Sequence, residues 1–317
     1  MGRYTAKRLL QAVPILALVS LISFCIIKLV PGDPAVVMAG PAATAQDLEH
    51  LRRTLGLDKP FITQLTLFYL NLFQGDLGRS LMLGTPVADA IVERTPATLA
   101  IAAYSLVLTL LIGLATGVLA ALRHNTWVDQ ALSTFALLGV SLPNFWLGLV
   151  MIVLFSVTLG WLPTGGYVDF SADPVGWLRT ATMPAVSLAM LQAGLLTRIT
   201  RSTMLEVLRQ DYIRTARAKG LSELKVVVKH AMANVMIPVM TVVGIIMSVL
   251  ISGSVVVETV FSVPGIGSLL GNAILRRDYP LIQGGLLFVA SGLMLINIMV
   301  DLLYAWFDPR VRIDGAN

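Results

Sequence analysis

The sequence DYIRTARAKGLSELKVVVKHAMANVMIP, residues 211–238, lies between two strongly apolar segments and decides how the chain is built. Gly220 interrupts it and can adopt the left-handed backbone conformation that ends a helix, and Ser222 can cap a second helix after the turn. The stretch is basic, as loops on the inner side of a membrane usually are. We therefore predict a helix, a sharp turn and a second helix that protrude from a membrane.

The helix before the turn is predicted to have two different faces. Four residues recur at helical spacing and would line a packing face: Leu205, Leu208, Tyr212 and Ala216. Three arginines would occupy the other faces: Arg209, Arg214 and Arg217. The spacing favours a protein-binding element, although an ordinary basic loop at a membrane would explain the charge alone.

Composition places most of the chain in a membrane. Of its 317 residues, 56% are hydrophobic and only 13% are charged, and the mean hydropathy is +0.81. A soluble domain has about 25% charged residues. Six apolar runs approach the roughly 20 residues that one helical crossing needs: 9–30, 98–121, 132–158, 183–199, 235–257 and 281–306. The runs do not alternate like barrel strands, so we expect an all-α integral membrane protein with six transmembrane helices.

Glycines and prolines predict how these helices pack and begin. Gly113 and Gly117 form a G-x-x-x-G pair that would let another helix approach closely. Pro184 is expected to open the fourth run, and Pro143 and Pro238 are expected to kink or begin helices. Local packing is favoured over a role in contacting substrate.

Charge predicts the orientation of the chain, because cytoplasmic loops collect Lys and Arg. With the N-terminus inside, the cytoplasmic side holds 14 of the 23 basic residues and six acidic ones, a net charge of +8. The opposite side holds nine basic and eleven acidic residues, a net charge of −2. Both termini are therefore expected in the cytoplasm, and the basic isoelectric point reflects topology rather than nucleic-acid binding.

The long segment between the first two runs is predicted to form a small external helical cap. Thr44 can cap an amphipathic helix that runs towards Leu57, and residues 61–73 carry apolar residues at helical spacing. Residues 75–80, GDLGRS, are predicted to form a turn. A phosphate-binding loop would need a Lys and a preceding strand, and neither accompanies this motif.

Enzymatic activity is not expected. An intramembrane enzyme needs a nucleophile with a base, or metal ligands, within its spans, whereas His50, His124 and His230 all lie in predicted external or cytoplasmic segments. The sequence has no Gly-Lys dipeptide and hence no P-loop, so this chain is expected to bind no ATP, metal or other cofactor. The single cysteine, Cys25, is expected to pack as a small hydrophobic residue.

A secondary transporter would place ionisable residues along its spans for ion coupling. We place only Lys28 and Asp301 within spans, and both are near span ends. This disfavours ion coupling but leaves a passive pore open. Asp301 is close enough to the inner surface to reach Arg310 or Arg312, so structural anchoring is favoured over a role in transport.

The segment 258–279 between the fifth and sixth spans is expected to form an external loop with tight turns. Its turn residues are Pro264, Gly265 and Gly267, and its charged residues are Glu258, Arg276, Arg277 and Asp278. External loops often carry function. A solvated connector, in which Arg276, Arg277 and Asp278 contact only water or neighbouring loops, is an equally favoured interpretation.

Several motifs resemble those of one protein family. TARAKGL (215–221), followed by HAMAN (230–234), is similar to the cytoplasmic signature, called the EAA loop, of the permeases of binding-protein-dependent ABC importers. Further motifs resemble the peptide, nickel and glutathione branch: VPGDPA (30–35), GLDKP (56–60), GDLGRS (75–80), ERTPATL (93–99), ETVFSVPGIG (258–267) and RRDYPLIQGG (276–285). They occur in order over nearly the whole chain, which resembles the B-type permease subunits of dipeptide and oligopeptide importers.

The signature departs from the general family pattern at one place. The family has Glu-Ala-Ala before the Gly, whereas Arg214, Thr215 and Ala216 stand here, similar to the variant of the peptide branch. The resemblance implies that the ATPase-coupling residues are Arg214, Thr215, Ala216, Arg217, Ala218, Lys219, Gly220 and Leu221. Arg214 and Arg217 would pair with acidic residues of the ATPase.

The resemblance implies an importer of the bacterial inner membrane that is assembled from several chains. The partners would be a second homologous permease, two ATP-binding cassette ATPases and an external, periplasmic substrate-binding protein, surrounded by membrane lipid and without nucleic acid. ATP and Mg would be bound by the ATPases. The seven residues named above in segment 258–279 would face the binding protein at the mouth of the pathway.

This chain would supply half of the pathway, and closure of the ATPases would swing it between outward and inward openings. Residues 1–95 would form the first span and the external cap, 96–307 the permease core with its coupling loop 199–234, and 308–317 a cytoplasmic tail. Peptides are the first expected substrate. Nickel chelates, glutathione and oligosaccharides are the alternatives.

Overall fold

The computed structural model of the protein describes residues 2–29, 35–36, 44–54 and 56–307. Most of the VPGDPA motif and the tail 308–317 lie outside the described residues, as do the side chains of Lys28 and Asp301. The anchoring of Asp301 to Arg310 or Arg312 therefore stays a prediction.

The described residues are helical and contain no strand, only an isolated bridge between Arg79 and Pro86. The α-helices are α1 (Gly2–Leu29), α2 (Ala45–Thr54), α3 (Phe61–Phe73), α4 (Val87–Leu122), α5 (Trp127–Ser141), α6 (Asn144–Met151), α7 (Pro174–Leu208), α8 (Asp211–Ala218), α9 (Met232–Val260), α10 (Ile266–Arg276) and α11 (Tyr279–Phe307). A helical turn, Glu223–Lys225, and a π-helix, Val226–Ala231, lead into α9, and a second π-helix, Ile152–Thr158, follows α6. The predicted all-α class is confirmed for this part of the chain.

Four described helices are long and apolar enough to cross a membrane: Val87–Leu122, Pro174–Leu208, Glu223–Val260 and Tyr279–Val300. The third predicted run is instead a helix pair, Trp127–Ser141 and Asn144–Thr158, which is bent by 103°. Pro143 stands at this bend, as expected for a residue that cannot continue a helix. Counting the pair as one span gives five, and the shorter apolar helix Leu10–Cys25 lies in the first predicted run. The chain is a multi-pass helical membrane protein.

The start of α7 differs from the prediction. Asp173 caps this helix, since its Oδ1 accepts the Val175 N–H at 3.0 Å, and Pro174 occupies the first turn, where its missing N–H costs nothing. Pro184 therefore lies inside a longer helix, and the prediction that it opens the helix was wrong. The earlier cap is the stronger start signal.

The chain divides into two compact units, of which the first comprises residues 1–5, 97–264 and 296–317. In this unit α4 and α7 pack closely through two glycines. A Cβ atom on Gly113 would lie 2.8 Å from the Leu196 Cβ, and one on Gly117 would lie 2.6 Å from the Thr200 Cβ. Only glycine fits at such distances, so the predicted close approach at the G-x-x-x-G pair is confirmed.

The second unit comprises residues 6–96 and 265–295. Its core lies where α10 packs against the first turns of α4 and the start of α11. Val87, Ile91, Leu269, Ala273 and Leu281 are all buried there. This packing fixes which side of α10 stays open to solvent.

The predicted cap segment is helical, as α2 and α3 show. Thr44 Oγ1 accepts the Asp47 N–H at 3.2 Å, and Asp47 Oδ2 accepts the Thr44 N–H at 3.0 Å, so the two residues cap α2 reciprocally. The hydrogen bonds from Thr44 hold the pKa of Asp47 below its ordinary value. Gly75 and Gly78 have φ angles of 78° and 83°, which confirms GDLGRS as a turn.

Candidate functional site

The helix-turn-helix segment, residues 211–231, has the predicted break at Gly220. The φ angle of Gly220 is 75°, and no atom lies within 4 Å of where its Cβ would be, so backbone conformation alone demands glycine. Gly220 N–H donates to the Arg217 carbonyl at 2.9 Å, and Leu221 N–H donates to the Ala216 carbonyl at 3.4 Å. These bonds satisfy the end of α8 and fix the direction of the turn.

The second half of this segment differs from the prediction. Ser222 precedes the helical turn Glu223–Lys225, but its side chain makes no cap hydrogen bond. The helix then continues through the π-helix Val226–Ala231 into α9, so that Glu223–Val260 is one uninterrupted span. The turn is therefore joined directly to a candidate membrane span.

The predicted packing face is confirmed at Leu205, Leu208 and Ala216, which lie in or against the core, and is wrong at Tyr212. Helix α7 ends at Leu208 and α8 begins at Asp211, so the helical register does not continue from one to the other. Tyr212 is 42% exposed and its hydroxyl accepts a hydrogen bond from Asn234 Nδ2 at 2.7 Å. Ile213, which the sequence pattern did not single out, is fully buried beside Ala216. Both pack in the core with Val226, Val227 and Ala231.

The opposite side carries exposed apolar side chains. Leu224 is 74% exposed, Val228 is 61% exposed and Leu221 is 36% exposed. Sequence reasoning named only Leu221. The signal for the other two was their four-residue spacing, out of phase with the buried Val226 and Val227. Exposed leucine and valine side chains between basic residues are typical of a surface that contacts a protein or a membrane.

The two arginines that were expected to pair with a partner already have partners in this chain. Arg217 donates two hydrogen bonds to Glu223 across the turn, from Nη2 to Oε1 at 2.6 Å and from Nε to Oε2 at 3.1 Å. The hydrogen bonds to Glu223 raise the pKa of Arg217 above its ordinary value. Arg214 contacts Asp211 at 3.4 Å.

Lysines supply the open positive charge of this surface. Lys219, Lys225 and Lys229 are exposed, and none forms an ion pair with a described residue. The remaining two predicted coupling residues, Thr215 and Ala218, are exposed on α8. Thr215 Oγ1 donates to the Asp211 carbonyl at 2.9 Å.

A buried ion pair holds the end of α7 next to this segment. Asp129, which is 3% exposed, accepts hydrogen bonds from Arg201 Nε at 2.6 Å and Arg201 Nη2 at 2.7 Å. Asp129 Oδ2 also accepts the Asn125 N–H at 3.0 Å and lies 3.2 Å from His124 Nδ1. Nothing in the sequence pattern pairs Asp129 with Arg201, because they lie on separate helices. The pair fixes the α4–α5 turn to α7.

In the same unit a second polar group is buried at the far end of α9. Thr98 Oγ1 donates to Glu258 Oε1 at 2.8 Å, and these side chains are 2% and 1% exposed. Gly166 N–H donates to the Phe261 carbonyl at 2.8 Å, and a Cβ on Gly148 would lie 2.9 Å from Phe261 Cε2. We call these five residues the Glu258 joint. It ties α4, α6, the loop after the second π-helix and the end of α9 together.

The segment 258–279 is therefore not an open loop. Glu258 lies in the last turn of α9, and Pro264 follows it. In the second unit Gly265 precedes α10, which takes up most of the rest of the segment, and Gly267 is buried in its first turn. Arg276 and Arg277 are exposed at the end of α10, where Arg277 has a φ angle of 57°.

Asp278 is the residue for which the solvated interpretation is wrong. It is 2% exposed, and its Oδ2 accepts bonds from Ser80 Oγ at 2.6 Å and from the Met82 N–H at 3.0 Å. Its Oδ1 accepts the Leu281 N–H at 3.2 Å at the start of α11. A short side chain that accepts three hydrogen bonds locks the turn after GDLGRS to α11.

No three His, Cys, Asp or Glu side chains converge among the residues that the structure describes. The arrangement instead defines a class: a multi-pass helical membrane protein with an exposed apolar and basic helix-turn-helix joined to a spanning helix.

The chain belongs to the family of binding-protein-dependent transport system inner membrane components, which matches residues 113–313. The N-terminal membrane component of the same transport systems matches residues 1–102. The chain is therefore a permease subunit of an ABC transporter and not an enzyme. The partners of such a permease include an ATPase and a substrate-binding protein.

Similar proteins narrow this class. A Brucella abortus protein described as a peptide transport system permease is 49% identical over 97% of this chain and 98% of its own length. The glutathione transport system permease of Escherichia coli strain K12 is 44% identical over 98% of this chain and 99% of its own length. A chain of the MetNI methionine ABC transporter shares the fold, with a TM-score of 0.58 and 19% identity over 69% of this chain and 96% of that one.

Proposed function

We propose that this chain is the transmembrane permease subunit of an ATP-driven, binding-protein-dependent importer of short peptides. The similarity to a peptide permease over nearly the whole of both chains is the observation that carries this proposal. The glutathione permease supports it, because glutathione is itself a tripeptide. Nickel chelates and oligosaccharides remain the alternative cargoes.

The helix-turn-helix segment is the surface that engages the ATPase. Its apolar side chains at Leu221, Leu224 and Val228 are exposed in the isolated chain, and burying them would stabilise a complex. Lys219 and Lys225 add positive charge for acidic residues of the partner. ATP and Mg are bound by the ATPases, of which the assembly holds two, and none by this chain.

The remaining partners follow from the topology. We place six spans in the membrane by adding the bent pair α5–α6 and the apolar part of α1 to the four long helices. Both termini then lie in the cytoplasm, as the net charge of +8 on that side favours. A second homologous permease completes the pathway in the bacterial inner membrane, and the periplasmic binding protein meets the opposite side, which carries segment 258–279.

Transport is mechanical. Closure of the two ATPases on ATP moves the docked segment, and the uninterrupted helix from Glu223 to Val260 carries that movement across the membrane. The π-helix Val226–Ala231 lies at the start of this span, next to the docked turn, and π-helical segments are frequent at functional sites.

Copurification tests the assembly. The tagged chain is extracted from its bacterium in mild detergent, and stoichiometric partners are identified by mass spectrometry. A second six-span chain and two kinds or copies of ATPase are expected. A chain that emerges alone in several detergents would contradict the importer and favour a passive pore.

Transport assays then test energy source and cargo. Uptake of labelled trialanine by cells should stop when ATP is depleted while the membrane potential is kept. Unlabelled di- and tripeptides should compete, whereas nickel chelates and oligosaccharides should not. Uptake that survives ATP depletion would overturn the ATP-driven proposal, and competition by another cargo alone would replace peptides as the substrate.

A further inference from the structure

Helix α10 carries a polar stripe beside its buried face. Leu269 and Ala273 pack into the core of the second unit, whereas Ser268, Asn272 and Arg276 follow each other at intervals of four residues and so share a neighbouring side. This stripe borders a cavity of about 250 Å³. The cavity therefore has one polar wall that is built on a rigid helix.

A second arginine enters the cavity from α4. Arg94 lies one helical turn after Ala90 and Ile91, which are buried against α10, so its position continues the same face of α4. The cavity is lined by Met82, Leu83, Arg94, Ser268, Leu269, Asn272 and Arg276. Two of these side chains are cationic and none is acidic.

Neither guanidinium of the cavity is neutralised. Arg94 and Arg276 form no ion pair with any described residue, whereas Arg53 of the same unit is paired with Glu49 at 3.2 Å. A helix C-terminus attracts cations and accounts for the position of Arg276. It does not account for Arg94, which is the eighth residue of α4 and lies far from the C-terminus of that helix.

We propose that Arg94 and Arg276, with the amide of Asn272, form a carboxylate-binding cleft on the outer side of the membrane. The guanidinium group presents paired N–H donors that match the two oxygens of a carboxylate. Asn272 Nδ2 donates to the Ser268 carbonyl at 2.8 Å and keeps one further N–H for a ligand. The inference rests on the proposed function, which puts this end of the chain outside.

Two sources can supply the carboxylate. One is the C-terminal carboxylate of the transported peptide, and the other is an acidic side chain of the docked binding protein. Both need the same two arginines. If the peptide supplies the carboxylate, loss of an arginine should weaken the affinity for the peptide. If the binding protein supplies it, loss of an arginine should weaken the affinity for the binding protein.

The test uses the complete importer with Arg94→Gln or Arg276→Gln. Arg179→Gln is the control, because Arg179 is exposed on α7, forms no ion pair with a described residue and does not line the cavity. Two affinities are measured: that of the importer without binding protein for labelled trialanine or its C-terminal amide, and that of the importer for its trialanine-loaded binding protein. Loss of one charged hydrogen-bond donor should weaken one affinity about tenfold.

The two arms have distinct signatures. If the peptide supplies the carboxylate, the wild-type importer binds the amide more weakly than trialanine, and each variant loses that preference. If the binding protein supplies it, its affinity falls in each variant and depends less on salt, irrespective of the amide. Arg94→Lys should lie between the wild type and Arg94→Gln in either arm, because the charge stays but the paired donors are lost.

Clear outcomes would overturn the cleft. Unchanged affinities in both arms would do so, and so would an equal loss in Arg179→Gln. Failure of the proposed function is separate, since a wild-type importer that transports no peptide refutes the cargo. In that case the binding-protein arm still tests the cleft, with whatever binding protein copurifies. Equal yields of intact complex exclude misfolding as the cause.

Discussion

The Glu258 joint and the helix-turn-helix segment differ in how far their polar and apolar groups are buried and paired. In the joint a carboxylate and a hydroxyl are almost completely buried and bonded to each other, and the Phe261 ring fills the space left by a glycine. In the segment Leu224 and Val228 face solvent and three lysines lack ion pairs with described residues. The polar groups of the joint find hydrogen-bond partners within the chain, whereas the apolar side chains and lysines of the segment stay exposed.

This difference separates a joint from a docking surface. Groups that satisfy each other in a packed interior make a rigid body, because moving one of them exposes the rest. Exposed apolar side chains on a well-formed turn gain free energy only when a partner covers them. We therefore expect changes in the joint to act on the stability of this chain, and changes in the segment to act on assembly and transport.

The largest expected effect is that of Gly220→Pro. Proline cannot adopt the φ angle of 75°, and it lacks the N–H that Gly220 donates to Arg217. Uptake should be abolished while the chain still inserts, because the altered turn lies outside the membrane spans. Uptake assays and membrane immunoblots measure both.

Gly220→Ala and Gly253→Ala sharpen this result. Alanine at position 220 should reduce uptake partially, since the left-handed conformation costs a side chain about 1–2 kcal/mol. Gly253 lies within α9 with no atom near its Cβ position, so Gly253→Ala should transport normally. Normal levels together with normal uptake in Gly220→Pro would refute the role of the turn.

Thr98→Val is the corresponding change in the Glu258 joint. It keeps the shape of the side chain but removes the hydroxyl that donates to Glu258 at 2.8 Å. Losing a donor to a buried charged acceptor should lower the free energy of unfolding by about 2 kcal/mol. The midpoint of thermal unfolding of the purified complex measures this. Thr98→Ser should stay near the wild type, and equal midpoints for valine and wild type would refute the joint.

The turn was predictable because its signal is local. Gly220 within a basic stretch predicts a helix stop from its own conformational freedom, and Thr44 followed by Asp47 predicts a helix start in the same way. The Gly113 and Gly117 spacing likewise predicts a close helix contact. In each case the residues that decide the structure are neighbours in sequence.

The satisfied joints were not predictable, because their partners are distant in sequence. Glu258 and Asp278 read as charges of an external loop, whereas each accepts a hydroxyl hydrogen bond from a much earlier residue, Thr98 or Ser80. Spacing within one helix carries no information on such pairs. For the same reason the pairing of Arg217 with Glu223, which crosses a turn, was not predicted.

Leu224→Ser tests whether the exposed apolar surface of the helix-turn-helix segment binds the ATPase. The exposed side chain contributes little to the isolated chain but should lose roughly 1.5 kcal/mol of transfer free energy at the ATPase interface. The affinity for the ATPase should fall about tenfold, with the thermal midpoint of the isolated permease unchanged.

Val226→Ser is the matched control for Leu224→Ser, because Val226 lies two residues away in the same helix and is fully buried. It should destabilise the permease itself by burying a hydroxyl in an apolar core. A fall in permease stability in Leu224→Ser, without a fall in ATPase affinity, would show that this surface packs within the chain instead.

Glu223→Gln should have the smallest effect on stability and uptake. The ion pair that it removes shares features of both the joint and the docking surface. The Arg217–Glu223 pair is bonded like a joint, but its side chains are 41% and 56% exposed, so solvent screens much of the attraction. Loss of this ion pair should lower the free energy of unfolding by about 0.5 kcal/mol and leave uptake within about twofold of the wild type. In the wild type, high salt should weaken the contribution of the pair further. Arg214→Gln is the control, because its contact to Asp211 is longer and more exposed and should contribute less. A tenfold loss of uptake in Glu223→Gln alone, at unchanged stability, would instead make Arg217 part of the ATPase contact, released or redirected once its partner in this chain is neutral.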